Sequence, residues 1–448
     1  QDELAPQYRR LYRRLFEIAR RGSFRDLAAA FPTPERSDAF PGAPLERDDA
    51  LTPDRLLALA FLLALFAGLF LALGYRQWLP DGPLVGATVT AVYVFLWLFV
   101  GIYVLATGVW IVEAIIAWRY DPPEPAYGYD EIQVRVLTVD AEDVVQQTID
   151  ALPDGLGADA HVIAERPIEI DGATVNVVPD AFECAATDKG RALEWARREI
   201  PCEREFVLFL DEDTLVRDFD GLPDVGVAQF REWPMFTGSY WAYWAEILRI
   251  GYQLELAAFS RFSVPLYAWG GGIAVRTDVE EEVTWDFETL IEDTVFAWKA
   301  AKAGHEYAVL DTKFRNQAPP SVPAMIQQRR RWVTGSLADE SALPVWYRVL
   351  YVLRNVAWAF SPVSPFLVVF ATALPTTVPG WDVFYPLTLV LFLCTFMWVA
   401  RGWRYYDGPS LRSLPLFPLL PFVVAVHSAG AALGFASPAD DFETTEKE

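Results

Sequence analysis

The sequence has few of the residues that bind zinc or form disulfides. Its 448 residues include three cysteines and three histidines, and no two cysteines have CxxC spacing. A structural zinc site takes about four such ligands, and a disulfide framework takes several paired cysteines. Both kinds of site are therefore disfavoured, so a catalytic base or a metal site in this chain has to be built from carboxylates.

Positive charge is also scarce. There are 37 lysines and arginines against 60 aspartates and glutamates, which gives a formal net charge of -23. This balance lacks the basic surface that nucleic-acid binding requires, so we expect no nucleic-acid partner. We interpret the acidic excess as the surface of a halophilic protein, because the Debye length falls to roughly 3 Å at 1 M salt and screens such charge. A compositional bias toward arginine is the alternative.

Apolar residues, by contrast, are abundant, at 53% of the chain. Residues 56–74 form a run without charge, and a second run over 84–118 is interrupted only by Glu113. As helices, both runs are long enough to cross about 30 Å of hydrocarbon. We therefore predict two transmembrane helices in the N-terminal part of the chain.

Three further apolar stretches follow a charged central region. They cover 345–374, 381–400 and 414–435. The first stretch is interrupted by the sequence SPVSP at 361–365, and Arg348 and Arg354 fall in its first half, which favours an interfacial position for that half. About three transmembrane helices are therefore expected after the central region.

The distribution of arginine predicts the orientation of these helices. The loop between the last two spans carries Arg401, Arg404 and Arg412, whereas the loops at 75–83 and 376–380 contain one arginine between them. Loops rich in Lys and Arg stay in the cytoplasm. We therefore expect a multi-pass protein of the cell membrane with its central region on the cytoplasmic side.

The chain divides on these grounds into soluble and membrane parts. They are a cytoplasmic N-terminal segment with an amphipathic helix (1–55), two transmembrane helices (56–120), a soluble domain (122–320), an interfacial segment (321–345), about three transmembrane helices (346–436) and an acidic tail (437–448). The amphipathic helix is expected over residues 8–21, lying on the membrane surface.

The soluble domain alternates between two kinds of pattern. Residues 132–139 and 205–214 read as strands, and residues 143–152 and 189–199 have helical periodicity. Alternating strands and helices predict an α/β fold with a mostly parallel sheet. Ligands of such sheets bind at the carboxyl ends of the strands.

Three acids follow the most apolar of these strands. Along an extended chain Asp211 and Asp213 project on the same side of the backbone, with Glu212 between them. Two carboxylates in that arrangement can bind a hard divalent cation and, through it, the phosphates of a nucleotide. An acidic turn after a strand, without a ligand, is the alternative.

Two later motifs also carry ionisable side chains. Glu292 and Asp293 precede a helix-like run, where an acid pair can act in catalysis or can simply cap the helix. Gln328, Arg331 and Trp332 belong to a basic run next to the apolar stretches. Such a run can bind a ligand or can anchor the chain to anionic lipid.

Together these motifs resemble those of the processive-type family-2 glycosyltransferases, the group of hyaluronan and cellulose synthases. The chain is similar in particular to the egghead-type β-1,4-mannosyltransferases. The resemblance rests on LDEDT (210–214), IEDT (291–294) and QQRRRW (327–332), and on VRVLTVDAED and DKGRAL, which look like the nucleotide-binding start of that group. It covers about residues 84–332 and implies a GT-A-type α/β domain inserted between transmembrane helices.

The resemblance also implies an activity, namely inverting transfer of a hexose from GDP-mannose or a UDP-sugar onto a membrane-associated, lipid-linked acceptor. Asp213 would ligate Mn2+ or Mg2+, and Asp211 would contact the ribose or the metal. Asp293 would be the general base, with Glu292 beside it. Arg331 would stabilise the departing nucleoside diphosphate. A processive polysaccharide synthase that exports its polymer, and a transporter or scaffold with a degenerate transferase domain, are the alternatives.

The remaining donor and acceptor contacts follow from the same resemblance. Thr138 and Asp140 would contact the nucleotide, and Lys189 the diphosphate, although Lys189 can also belong to a solvated helix face. Gln328 would belong to the donor site, and Trp332 would offer its ring to the acceptor sugar. The chain departs from the family at 138–142, where many members have PxYNE, and Glu212 has no family role.

Two features are left open by the sequence. Residues 270–272 are three consecutive glycines, which either let the backbone approach the acceptor or form a turn. Residues 239–253 form an aromatic-rich helical stretch, which is either interfacial, guiding a lipid, or part of the protein core.

Overall fold

The computed structural model describes residues 83–374, 380–406 and 419–439. The amphipathic helix expected at 8–21, the first transmembrane run at 56–74 and the acidic tail from residue 440 onward lie outside the described residues. The second predicted span is present as a helix that begins at Pro83 and ends at Trp118.

The soluble domain is built on a seven-stranded sheet. Its strands are β1 Ile132–Thr138, β2 Ala160–Ala164, β3 Thr174–Val177, β4 Phe206–Asp211, β5 Val227–Met235, β6 Ile273–Arg276 and β7 Tyr307–Gln317. The order across the sheet is β3-β2-β1-β4-β6-β5-β7. Only β6 runs antiparallel to its neighbours, β4 and β5. The predicted α/β domain with a mostly parallel sheet is therefore confirmed.

The helices cover the sheet and continue into the membrane part. They are α1 Pro83–Trp118, α2 Glu142–Asp150, α3 Asp188–Glu199, α4 Tyr240–Gln253, α5 Leu256–Phe259, α6 Thr277–Val283, α7 Glu292–Ala303, α8 Val322–Ala338, α9 Val345–Phe360, α10 Ser364–Ala373, α11 Trp381–Tyr405 and α12 Leu420–Ala436. Short 3-10 turns connect several of them.

Burial on both faces explains the continuous apolar sequence of β4. Leu208 and Leu210 pack into the core on one face of the sheet, whereas Val207 and Phe209 pack into the core on the other. A central parallel strand covered on both sides reads as an unbroken hydrophobic run. The strand ends where the acids begin, so β4 delivers Asp211 to the edge of the sheet where ligands bind.

Two helices in the described part of the chain are long and apolar enough to span a membrane, and they cover Ala91–Trp118 and Trp381–Tyr405. A third span is formed if α9 and α10 count as one, bent by 61° at the SPVSP sequence. Pro362 and Pro365 explain the break, because proline removes a backbone donor and clashes with the preceding turn. Helix α12, with 17 residues, is shorter.

The aromatic helix α4 lies between the domain and the membrane helices. It packs against α11 and α12, and its Ala242, Ile247 and Leu248 are buried in a shared core. Gly251 of α4 and Gly402 of α11 make this crossing possible, because a Cβ on either glycine would clash with the backbone of the other helix. Of the two alternatives for residues 239–253, an interfacial helix or a helix of the protein core, the second therefore describes α4.

Candidate active site

The turn after β4 brings carboxylates to the edge of the sheet. The Thr214 amide donates to the Asp211 carbonyl at 3.1 Å, so the acids occupy a turn rather than the extended chain that the sequence predicted. Both Asp211 and Asp213 nevertheless line the same cavity. The sequence thus predicted correctly that both side chains face one cavity, but it gave the wrong reason. A turn, and not the alternation of side chains along a strand, determines where they lie.

This cavity has a volume of about 820 Å³ and lies between the sheet edge, α7, α8 and the membrane helices. Nearly all the residues that the sequence singled out line it. They are Thr138, Lys189, Asp211, Asp213, Glu292, Asp293, Gln328, Arg331 and Trp332. Asp140 does not line it: its carboxylate lies 2.7 Å from Arg166, and half of its side-chain surface is exposed.

Lys189 connects two of the acidic motifs. Its ammonium lies 2.6 Å from an Asp211 carboxylate oxygen and 3.3 Å from a Glu292 oxygen. Burial lowers the pKa of Lys189, but the neighbouring carboxylates, Asp211 foremost, outweigh burial and raise the pKa above its ordinary value. Lys189 therefore stays cationic in the cavity wall, which makes the solvated-face alternative unnecessary.

The backbone before Lys189 is held in an uncommon conformation. Asp188, the first residue of α3, has φ +47°, in the left-handed region. Asp188 also lines the cavity. Non-glycine residues in this region occur preferentially at functional sites, where the surrounding structure maintains them.

Asp293 combines access to the cavity with a raised pKa. One of its carboxylate oxygens accepts from the Thr294 amide at 2.7 Å, and its side chain is partly exposed to the cavity. Burial and then the charge of Glu292 raise the pKa of Asp293 to about 7, while Lys189 opposes the rise. A base whose pKa lies near the working pH transfers protons efficiently.

The triple glycine explains how these groups come so close. A Cβ on Gly270 would lie 2.6 Å from the Lys189 ammonium and 3.0 Å from an Asp293 oxygen, and a Cβ on Gly271 would lie 2.8 Å from an Asp211 oxygen. Residues 270 and 271 form a turn, which was one of the two alternatives, and this turn brings backbone against the polar cluster; approach to an acceptor, the other alternative, stays a prediction.

Gln229 fixes this glycine loop and was missed by the sequence analysis. Its amide nitrogen donates to the carbonyls of Trp269 at 3.0 Å and Gly272 at 2.7 Å, and its amide oxygen accepts from the Trp269 amide at 2.9 Å. Gln229 is fully buried in β5. In the sequence, Gln229 is a polar residue among the apolar residues at the start of β5. That pattern does not indicate which segment the glutamine contacts.

Glu212 acquires a structural role. Its carboxylate accepts from the Thr138 hydroxyl at 2.7 Å, and its carbonyl accepts from the Thr148 hydroxyl at 2.6 Å. The Thr138 hydroxyl in turn accepts from the Ala141 amide at 3.1 Å. Glu212 thus holds the acidic turn against the end of β1 and the last turn of α2.

The arginines of the QQRRRW sequence have different environments. Arg329 is completely buried, pairs with Glu246, and lies with its guanidinium 4.1 Å from the centre of the Trp332 ring. Arg330 donates to the Ser437 carbonyl at 2.6 Å. Arg331 lines the cavity; burial lowers its pKa, and the nearby carboxylates oppose this. The arrangement of Arg329 and Arg331 does not fit a simple lipid anchor.

A buried ionic network holds Trp332 in place. Arg249 of α4 lies 2.5 Å from Glu232 of β5 and 2.5 Å from Glu246 of the same helix, and its guanidinium lies 5.7 Å from the centre of the Trp332 ring. Gln253 also donates to Glu232. Glu246 and Gln253 share a helix with Arg249, but Glu232 and Trp332 come from other segments, so no local pattern indicated the complete network.

The acidic turn has the chemistry that a divalent cation requires. Asp211 and Asp213 both offer carboxylate oxygens, and Asp213 is held by a 2.7 Å hydrogen bond from the Gln317 amide. Within the described residues no group of three or more His, Cys, Asp or Glu side chains is arranged to hold a metal. Two carboxylates suit an ion such as Mg2+, which is usually bound by one or two carboxylates together with substrate phosphates and waters.

The fold is of the GT-A type that the motifs predicted, with a polar cavity at the carboxyl edge of an α/β sheet. Residues 206–401 match the family described as Glycosyl transferase family group 2. The chain thus contains a family-2 glycosyltransferase domain, as its motifs predicted.

Several proteins are similar to this chain. The beta-1,4-mannosyltransferase egh of Drosophila melanogaster is 24% identical over 278 residues, which are 56% of this chain and 59% of that protein. The beta-1,4-mannosyltransferase bre-3 of Caenorhabditis elegans is 24% identical over 204 residues, 42% of this chain and 45% of that protein. The chain therefore spans less than two thirds of the length of these relatives.

Among solved structures, the mannosyltransferase PcManGT from Pyrobaculum calidifontis, in complex with GDP-Man and Mn2+, is 14% identical to this chain. The match covers 75% of this chain and 99% of that one, with a TM-score of 0.45.

Proposed function

We propose that this protein is a membrane-embedded, inverting glycosyltransferase that moves a hexose from a nucleotide-sugar onto a membrane-associated acceptor. Mannose from GDP-mannose is the first candidate, since the similar proteins named above are mannosyltransferases. A UDP-sugar is the second candidate donor.

The observation that carries this proposal is the placement of Asp293 in the cavity wall. The Lys189–Asp211 pair approaches it from the sheet side, and Arg331 and Trp332 of α8 line the same cavity. A carboxylate with a raised pKa, set among cationic groups suited to a diphosphate, is what a single-displacement transfer requires.

The reaction follows from these positions. The acceptor hydroxyl attacks the anomeric carbon of the donor while Asp293 takes its proton. The bond between that carbon and the diphosphate oxygen breaks, and the electron pair leaves with the diphosphate. Lys189 and Arg331 stabilise the negative charge that develops there. One displacement inverts the anomeric centre, so an α-linked donor gives a β-glycoside.

Asp211 and Asp213 would hold a divalent cation in this site. When bound, Mn2+ or Mg2+ supplies positive charge that neutralises the diphosphate. The two carboxylates themselves contribute only oxygen ligands, which such hard ions accept.

The shape of the cavity supports a membrane-associated acceptor. Its lining includes Tyr103 of α1 and Leu391 of α11. At 1.5 Å per residue these positions lie about 22 Å from Trp118 and about 21 Å from Tyr405, the domain-side ends of the two helices. Within the described residues the lining thus reaches roughly the middle of both spans. A site that ends there fits one addition to a membrane lipid better than export of a polymer.

The test is a screen of the purified full chain with Mn2+, a panel of nucleotide-sugars and glycolipid acceptors in bilayers. We expect release of nucleoside diphosphate that depends on the acceptor, and a product with one added β-linked sugar. Long polymers would favour the synthase alternative, and a retained α-configuration would contradict the single displacement. Protease accessibility in sealed vesicles would test the proposed cytoplasmic orientation of the domain.

A further inference from the structure

The membrane half of the cavity has a polar wall, although it lies among apolar helices. On α9 the residues that face it recur at helical spacing: Tyr351, Arg354, Asn355 and Trp358, followed by Ser361 in the turn beyond. Residues three and four apart share one face of a helix, so this is a continuous stripe. Polar side chains within a span normally serve a function, because hydrocarbon does not solvate them.

Two groups on this wall have no hydrogen-bond partner among the described residues. They are the Asn355 amide nitrogen and the His427 Nδ1 atom. Both side chains line the cavity, and each residue is more than nine-tenths buried. Buried polar groups are satisfied in nearly all proteins, so a ligand that brings hydrogen-bonding groups fits this wall. An acyl chain offers none.

Neighbouring contacts hold these groups in fixed positions. Arg354 lies between the carboxylates of Glu113 and Glu255, which fixes the part of α9 that carries Asn355. The His427 ring stacks on the Trp358 ring with centroids 5.3 Å apart, and the Trp358 indole donates to the His427 carbonyl at 3.3 Å. The wall is therefore a rigid surface with both donors and acceptors.

This polar wall is continuous with the active site. Trp332 and Ser336 lie one turn apart on α8, and Ser336 accepts from the Tyr351 hydroxyl at 2.7 Å. From Tyr351, Asn355 lies about 6 Å and Ser361 about 15 Å further along α9. The polar wall therefore extends beyond the position at which Trp332 would contact the reacting sugar of the acceptor.

We propose that this wall is a subsite for a second sugar unit of the acceptor, placed between the reacting sugar and the lipid. Asn355 and His427 hydrogen-bond the hydroxyl groups of that unit. The Trp358 ring, which also lines the cavity, covers one of its apolar faces. The inference rests on the proposed function and specifies the acceptor class as a membrane lipid with at least two sugars.

The test compares two probes with the full chain in lipid nanodiscs: a short alkyl hexoside and the corresponding alkyl dihexoside, both below their micelle-forming concentrations. Binding is measured by titration calorimetry. We expect the dihexoside to bind about tenfold more tightly, because one or two additional hydrogen bonds form. Equal binding of the two probes would overturn the proposal, since it would assign the wall to water or to an acyl chain.

Substitutions in the wall test whether it causes the preference for the dihexoside. Asn355→Leu and His427→Leu, on different helices, should each reduce the preference for the dihexoside to near onefold, while donor binding stays normal. Thr372→Val is the matched control, because its hydroxyl bonds only within α10 and does not line the cavity. An undiminished preference in both variants would refute the assignment.

The binding and transfer measurements distinguish failure of the subsite proposal from failure of the proposed function. If the dihexoside preference exists but no nucleotide-sugar supports transfer, the proposed function is wrong and the subsite stands. If transfer occurs without any preference, only the subsite is wrong.

Discussion

Replacing Asp293 with asparagine separates catalysis from structure. Asparagine keeps the shape and the acceptor oxygen that receives the Thr294 amide, but it cannot take a proton. Loss of a general base typically lowers a rate by about 10² to 10⁴, which corresponds to about 3 to 5 kcal/mol of barrier. We expect Asp293→Asn to lose transfer by that factor and to bind the nucleotide-sugar with nearly normal affinity.

The pH dependence gives a second measurement on the same variant. Burial and the charge of Glu292 raise the pKa of Asp293 to about 7, and a base acts only when it is deprotonated. Transfer by the wild-type protein should therefore increase as the pH rises through that value, whereas the residual rate of Asp293→Asn should not follow the same curve.

The effect on stability has a defined sign. A carboxyl whose pKa is raised in the folded state binds its proton more tightly there, so its contribution to stability falls as the pH rises from its ordinary pKa to the raised one. Asp293→Asn has no ionisable group at this position, so the variant does not lose this free energy of unfolding as the pH rises. Its melting temperature at neutral pH should thus equal or exceed that of the wild-type protein, which excludes unfolding as the cause of lost transfer.

Asp278 offers a matched control. It lies in the first turn of α6, and its carboxylate accepts from the next amide, that of Val279, at 2.8 Å, just as Asp293 accepts from Thr294. Asp278 does not line the cavity, and its side chain is 71% exposed. Asp278→Asn should transfer normally. Near-normal transfer by Asp293→Asn would refute the base assignment and leave the acid pair as a helix cap.

Asp213→Ala should abolish metal-dependent donor binding measured by calorimetry, whereas Glu212→Gln, which keeps an oxygen to accept from the Thr138 hydroxyl, should weaken it far less; full activity of Asp213→Ala in EDTA would contradict the metal assignment. Gly271→Ala should lower the transfer rate at least tenfold, because its Cβ would lie 2.8 Å from an Asp211 oxygen, and Gly157→Ala, with 3.7 Å to its nearest neighbour, is the silent control. If the net charge of -23 reflects adaptation to salt, the melting temperature should rise from dilute buffer to about 1 M KCl, and a fall would exclude that interpretation.

Local patterns in the sequence predicted the elements of the fold well. The span expected at 84–118 is α1, the strand expected at 132–139 is β1, and the helix expected at 189–199 is α3, each within one or two residues. Periodicity and apolar length are determined by short stretches of chain, so they can be read from such stretches. Nine of the ten candidate site residues that the motifs named also line the cavity.

Contacts between distant segments could not be predicted in this way. Asp140 follows β1 directly, yet it turns toward Arg166 and away from the cavity. Gln229 braces the glycine loop from a strand 40 residues away. Both outcomes depend on which segments the fold brings together, and neither residue type nor spacing contains that information.

Two charged residues that weakened the prediction of membrane helices form an ion pair with each other. Glu113 interrupts the apolar run of α1, and Arg354 favoured an interfacial position for the start of α9. In the structure the Arg354 guanidinium lies 2.5 Å from Glu113 and also pairs with Glu255, which directly precedes α5. An unpaired charge buried at this depth is costly, and removing one partner of a buried pair strongly destabilises the rest. The three residues therefore act as one connection that joins both membrane helices to the soluble domain at the wall of the cavity. The apolar helices thus form part of the cavity wall, and under the proposed function they shape the active site as well as anchor the domain.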